Sequence, residues 1–179
     1  MTKELPKGWK EVDLSEIAWF QEGPGVRNYQ FTNKGVKLLN VRNIVKGKLI
    51  LDNTITHISS EEANGKYKHF LVDEGDMVMA SSGVTWGKTA VVKKEDLPLC
   101  MNTSTIRFKV LDTAKITKEY LLLFLNSLIF TQQIDRMITG GCQPNFGPSH
   151  LKQVKIPLPP LPIQHKIVSI LEKAEQAKE

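Results

Sequence analysis

The stretch Ile156-Pro-Leu-Pro-Pro-Leu-Pro162, followed by Ile163-Gln-His-Lys-Ile-Val-Ser-Ile-Leu-Glu-Lys-Ala174, divides the chain into a body and an arm. Proline fixes φ and excludes the helical region from the residue before it, so 156–162 is extended. Pro162 suits the first helical position, and a helix can begin directly after it. From there Ile163, Ile167, Ile170, Ala174 and Ala177 are spaced 4, 3, 4 and 3, a heptad seam that Val168 and Leu171 widen. Such a seam serves a coiled-coil arm or an amphipathic helix folded back on its own domain. The pattern is still running at Lys178-Glu179, which fits an arm cut short. Pro157-x-x-Pro160 and Pro159-x-x-Pro162 have the spacing of an adaptor-domain ligand, but the helix that follows at once favours a stiff connector.

Upstream of the connector, Lys118 to Ile138 is helical by composition, with Thr117 as N-cap, a break near Asn126-Ser127 and a stop at Gly140-Gly141. Its apolar residues crowd all sides between Tyr120 and Leu125, so it is a core helix. Between Trp9 and Val110 the pattern changes to short β-type runs. Val36–Val41, Met77–Ala80, Thr89–Val92 and Ser104–Val110 read as strands, and Leu14–Ala18 as a short helical turn. Asn33-Lys-Gly35, Lys46-Gly47, Asp73-Glu-Gly75 and Leu97-Pro98 supply the turn chemistry between them. The fold class is therefore α+β: a strand-rich body with a core helix, then a C-terminal helix of coiled-coil type.

The 179 residues, 41% hydrophobic and 24% charged, match a soluble globular domain and exclude disordered, collagenous and disulfide-framework classes. The net charge of +5 makes a polyanion a candidate partner. The opening Met1-Thr-Lys-Glu-Leu-Pro-Lys7 carries charge and proline where a signal peptide needs an apolar stretch, and the longest apolar run, Tyr120–Leu125, is far too short to span a bilayer. The expected location is the cytoplasm, with no membrane partner. Cys100 and Cys142 are isolated and are expected to be reduced thiols; no metal-ligand spacing surrounds either.

Charge is unevenly distributed. From Gly25 to Lys48 there is no acid, while Arg27, Lys34, Lys37, Arg42, Lys46 and Lys48 all fall inside; Arg136 to Leu171 is a second acid-free stretch. Catalytic motifs are missing. Ser82-Gly-Val-Thr-Trp-Gly-Lys-Thr89 superficially resembles a phosphate-binding loop. Ser82 stands where the first Gly belongs, however, and Ala90-Val-Val92 continues as strand where a helix must begin. A tight loop between two strands, with Trp86 near its tip, is the better reading. Leu158 and Leu161 flank Pro159-Pro160, so there is no Asn/Asp-Pro-Pro-aromatic loop to hold an adenine amino group. The histidines have no Ser or Cys in a nucleophile setting, and pairs such as Glu61-Glu62 are adjacent residues that diverge. No catalytic residues are assigned.

In this order, strand-rich body, Gly-Gly loop, proline connector and heptad helix, the sequence resembles the specificity (S) subunit of type I restriction-modification systems. The resemblance is carried by Leu5-Pro-Lys-Gly-Trp9 with Val12-Asp-Leu14, by Val72-Asp-Glu-Gly-Asp76 leading to Ser82–Ala90, and by Gly140-Gly-Cys-Gln-Pro-Asn145 with Ile156–Leu161 and Gln164. Pro162-Ile163 stand where that family carries two acidic residues before the Gln. The resemblance implies a target recognition domain over 1–155, a connector at 156–162 and a conserved coiled-coil helix over 163–179, which is about half of a two-site reader. It implies a non-catalytic subunit that reads one half of a split duplex DNA site. Separate M subunits would methylate adenine with S-adenosylmethionine, R subunits would cleave, and this chain would hold no cofactor or metal. A truncated module that occupies the methyltransferase subunit without reading DNA is the alternative.

Base edges take Arg for guanine, Asn or Gln for adenine and Ser or Thr for either, while phosphates take Lys and Arg. Three clusters supply such groups: Arg27, Asn28, Tyr29, Gln30, Asn40, Arg42 and Asn43; Ser81, Ser82, Thr85, Trp86 and Lys88; and Gln143 with Asn145. Arg27, Arg42 and Lys88 rank first, because no nearby acid in sequence offers them a salt bridge. Ile163, Ile167, Ile170, Leu171, Ala174 and Ala177 are the expected helix interface, toward an M subunit or a second copy.

Overall fold

The computed structural model describes residues 5–45, 47–52, 54–138 and 144–177. The elements in its first part are β1 (Lys10–Asp13), α1 (Leu14–Ile17), β2 (Ala18–Glu22), β3 (Val36–Leu39), β4 (Ile44–Val45), β5 (Lys48–Leu49), β6 (His57–Ile58) and α2 (Ser60–Asn64). They are followed by β7 (Met77–Ala80), β8 (Thr89–Val91), β9 (Leu99–Met101), β10 (Thr105–Val110), α3 (Lys118–Leu125), α4 (Leu128–Met137), α5 (Pro148–Leu151), β11 (Lys155–Leu158) and α6 (Leu161–Gln176). This is the α+β class expected. The chain forms two compact units, one from 1–19, 109–137 and 149–179, the other from 20–108 and 138–148.

In the first unit β1 pairs antiparallel with β11, with Val12 opposite Ile156. Extended backbone at 156–158 follows from its prolines, and Pro157 is tolerated because a two-stranded ribbon consists of edges. Thr117 caps α3 by accepting from the Tyr120 N–H at 3.1 Å. The break between α3 and α4 falls where the sequence places it: the Ser127 hydroxyl donates to the Phe124 carbonyl at 2.7 Å and accepts from the Phe130 N–H at 3.2 Å. Leu14, Ile17, Leu121, Leu125, Phe130, Ile134 and Ile156 are buried in this unit.

Gln164 holds the start of α6, which packs against α3. Its side chain is fully buried; it donates to the carbonyls of Lys115 (2.8 Å) and Pro159 (2.9 Å) and accepts from the Thr117 N–H (2.9 Å). Val168, one turn on, is also buried, whereas Ile163, Ile170 and Leu171 are exposed. The helix therefore packs on its own unit through one stripe and leaves part of the apolar seam in water.

The second unit contains a four-stranded sheet in the order β2-β10-β7-β8, a three-stranded sheet β6-β3-β9 and the ribbon β4-β5. β3 runs parallel to β9 and antiparallel to β6. Alternation along a strand sends neighbours to opposite faces. Leu39, Leu99 and Met101 thus enter a core with Ile44, Val78 and Ala90, while Leu38 and Cys100 enter a second with Val36, Ile58 and Tyr67. Arg107 of β10 is buried and ties the 69–76 segment to the sheet. Its guanidinium donates to the carbonyls of Leu71 (2.6 Å) and His69 (2.9 Å), to Gln21 Oε1 (2.7 Å) and to Asp76 Oδ2 (3.2 Å).

Candidate nucleic-acid interface

Two short 3-10 turns and one hairpin loop of the second unit carry most of the residues expected to meet DNA. The turn Asn28–Gln30 is held from within. Gln30 is buried, donates to Glu62 Oε1 at 2.6 Å, and accepts from the Arg27 N–H and the Tyr67 hydroxyl, each at 3.1 Å. The turn Val41–Asn43 is built the same way. Asn43 is 4% exposed; its amide donates to the Ile50 carbonyl and Thr54 Oγ1, both at 2.9 Å, and accepts from the Asn40 N–H at 2.9 Å. Asn40 donates to the Leu38 carbonyl at 3.1 Å and accepts from Asn102 Nδ2 at 2.9 Å.

These contacts occupy the side chains of three residues expected to meet DNA. Adenine recognition needs an amide whose donor and acceptor both face outward. Gln30 and Asn43, both buried, use theirs to hold the turns and so position their neighbours, whereas the half-buried Asn40 ties β3 to Asn102. Arg27, Asn28, Tyr29 and Arg42 are the exposed residues of the same turns, with Tyr29 at 85%.

The strands β7 and β8 form an antiparallel hairpin, Met79 opposite Thr89, and the intervening loop contains the 3-10 turn Gly83–Thr85. That turn lies against Val41–Asn43. Gly83 adopts φ +69° and Gly87 φ +78°, a region that favours glycine. The loop is anchored to 144–146: the Gly83 N–H donates to the Pro144 carbonyl (3.1 Å), the Phe146 N–H donates to the Ser81 carbonyl (3.0 Å), and Ser82 bridges Asn145. Trp86 is half-buried and meets the buried Phe146 edge-on, with centroids 6.0 Å apart at 79°. The fully exposed residue at the loop apex is Val84, not Trp86. Ser81 is buried, Ser82 and Thr85 are half-buried, and Lys88 and Asn145 are exposed. Gln143 lies outside the described residues.

Among the described residues Arg27, Arg42 and Lys88 have no ion-pair partner. Spatial neighbours do qualify the acid-free stretches. Glu62 lies beneath Gln30, and Lys155, in the second stretch, pairs with Asp13 across the β1–β11 ribbon. That hydrogen bond raises the Lys155 pKa above its ordinary value. Among the described residues no group of three or more His, Cys, Asp or Glu is arranged to hold a metal ion, and no helix is long and apolar enough to cross a membrane.

The family model described as "Type I restriction modification DNA specificity domain" matches residues 6–179. The chain is similar to the specificity subunit of the type I restriction enzyme MjaVIII of Methanocaldococcus jannaschii, 29% identical over 175 residues, covering 96% of this chain and 40% of that protein. It is 27% identical over 176 residues to the specificity subunit of the type I restriction enzyme EcoAI of Escherichia coli, covering 97% and 29%. Its fold is similar to that of the HsdS subunit from Thermoanaerobacter tengcongensis, with a TM-score of 0.71 at 19% identity, covering 98% of this chain and 39% of that one. The chain thus spans less than half the length of these relatives. With its strand-rich unit, its pinned loops and its terminal helix, the chain belongs to the type I restriction-modification DNA specificity domain family.

Proposed function

We propose that this chain is a non-catalytic, cytoplasmic DNA reader that recognises one half of a split duplex site and directs the chemistry of partner subunits to it. The carrying observation is that Arg27, Arg42 and Lys88 stand exposed, without ion-pair partners among the described residues, on turns immobilised by buried amides and by the 144–146 segment. The backbone that carries each guanidinium is already ordered, so only side-chain freedom is lost on forming a bidentate contact with guanine O6 and N7, and the cations release condensed counterions on meeting phosphate. Adenine methylation with S-adenosylmethionine belongs, in this reading, to an M subunit and cleavage to an R subunit. The chain itself supplies position.

The exposed seam of α6, Ile163, Ile170, Leu171, Ala174 and Ala177, is the docking face for a partner helix, from an M subunit or from a second copy; Ile167 sits half-buried at its edge. Gln164 and Val168 are excluded from that face because they pack on the chain's own unit.

Selection from a randomised duplex pool, using the chain alone and with its M subunit, tests the reading function. Enrichment of a defined half-site is expected. M-subunit binding without enrichment would replace this function with that of a module that occupies the methyltransferase without reading DNA. Changing Ile163, Ile170 and Leu171 together to Ser tests the docking face, since none of the three is buried. The folded chain should persist while light scattering shows loss of the complex, and an unchanged assembly state would remove the face.

A further inference from the structure

We infer that Val84 is a specificity-determining residue that reads the 5-methyl group of a thymine in the major groove, beside the contact made by Arg42; this rests on the DNA-reading function proposed above. Val84 is 100% exposed at the apex of the β7–β8 loop, so no packing among the described residues accounts for an apolar side chain there. A single exposed hydrophobe on a surface is ordinary. Three features separate this one from that background.

First, the loop is hydrogen-bonded within itself and to 144–146. The Gly83–Pro144 and Phe146–Ser81 bonds anchor its base. Within it, Trp86 N–H donates to the Gly83 carbonyl (3.2 Å), Lys88 N–H to Thr85 (3.1 Å) and Gly87 N–H to Ala80 (2.8 Å). Val84 is therefore offered in a fixed place, and little ordering entropy opposes a contact. Second, the surroundings fit a polyanion. No acid occurs from Met77 to Lys94, and Lys88 is exposed at the loop's end. Third, the turn that carries the exposed Arg42 lies against the turn that carries Val84.

Duplex DNA presents few apolar groups to such a side chain. Phosphate and sugar contacts use charge and hydrogen bonds, which Val84 cannot give. Side chains that wedge between base steps are the longer or bulkier apolar ones, such as Phe, Leu and Met. Valine ends one carbon beyond its Cβ, and its two methyl groups match the size of the thymine methyl, the apolar feature of the major-groove code.

The test uses the full chain with its M subunit and the half-site selected from the pool. Thymines are replaced one at a time by deoxyuridine, which removes the methyl and nothing else. At one position the wild-type chain should lose affinity about four-fold, the burial of roughly one methyl group. In Val84→Ala the same replacement should have no effect. A half-site without thymine, no deoxyuridine effect at any position, or a deoxyuridine penalty that survives in Val84→Ala would each overturn the assignment while leaving DNA reading intact. Failure to enrich any sequence would remove both.

Discussion

In the 41–43 turn a buried amide, Asn43, fixes a backbone whose neighbour Arg42 stands in water; at the start of α6 a buried amide, Gln164, fixes a helix whose exposed residues include Ile163 and Ile170. The device is the same: one polar side chain satisfies several backbone groups that a loop or a helix end leaves open. What is presented differs. The turn shows a cation and the helix shows branched apolar side chains, so the first suits a polyanion and the second a protein surface. An ordered backbone serves both, because only side-chain freedom is left to lose when a partner arrives.

Both surfaces rest on units with their own internal clamps, and the largest expected effect concerns one of these. Arg107→Ala leaves Asp76 buried opposite no guanidinium and should lower stability by about 3–5 kcal/mol in chemical denaturation. A loss near zero would mean that the second unit does not depend on this clamp. Gln164→Ala leaves two carbonyls and one N–H without their partner and should lower stability by about 1–3 kcal/mol, with α6 coming loose. If hydrogen exchange at the start of α6 is unchanged in that variant, the parallel with Asn43 fails.

Arg42→Ala separates presentation from support. Unfolding should shift by no more than about 0.5 kcal/mol, since the side chain is exposed. Binding should weaken by about 1–3 kcal/mol with relaxed preference at one base position. A uniform loss over all sequences makes Arg42 a phosphate contact, and no loss removes it from the interface.

A further effect, small near neutral pH, is one of pH. Burial pushes the Cys100 thiol from 9.0 up to about 12. The native state therefore keeps this proton where the unfolded chain releases it. The stabilisation is complete below about pH 9 and declines as pH rises towards 12. Unfolding midpoints measured from pH 8 upward should fall, and Cys100 should resist alkylation in the native chain. Rapid native alkylation at Cys100 would show that the second core opens readily.

The sequence was legible where local chemistry decides. The proline connector, the Ser127 break in the helix, the β7–β8 hairpin and the heptad seam depend on residues within a few positions of one another. The pairings of β1 with β11 and of β3 with β9 join residues far apart in the chain, a long-range event that no local pattern registers. The same distinction runs through the interface. Charge and turn signals point to Arg27, Arg42 and Lys88. They do not show that Gln30 is tied to Glu62 and Tyr67, that Asn40 meets Asn102, or that Lys155 finds Asp13. Val84 gave one signal, an apolar residue between Gly83 and Thr85 in a loop otherwise built for turning, while the larger Trp86 drew attention to a side chain that anchors the loop against Phe146.

DNA reading is assigned to exposed cations on internally pinned turns. Its most direct test is duplex-pool selection run side by side with the wild-type chain and with Arg27, Arg42 and Lys88 all changed to Ala, each with its M subunit. The wild type should enrich one half-site and the triple variant none, while the unfolding midpoints of the two agree. Enrichment of the same half-site to the same degree by the triple variant would contradict that assignment.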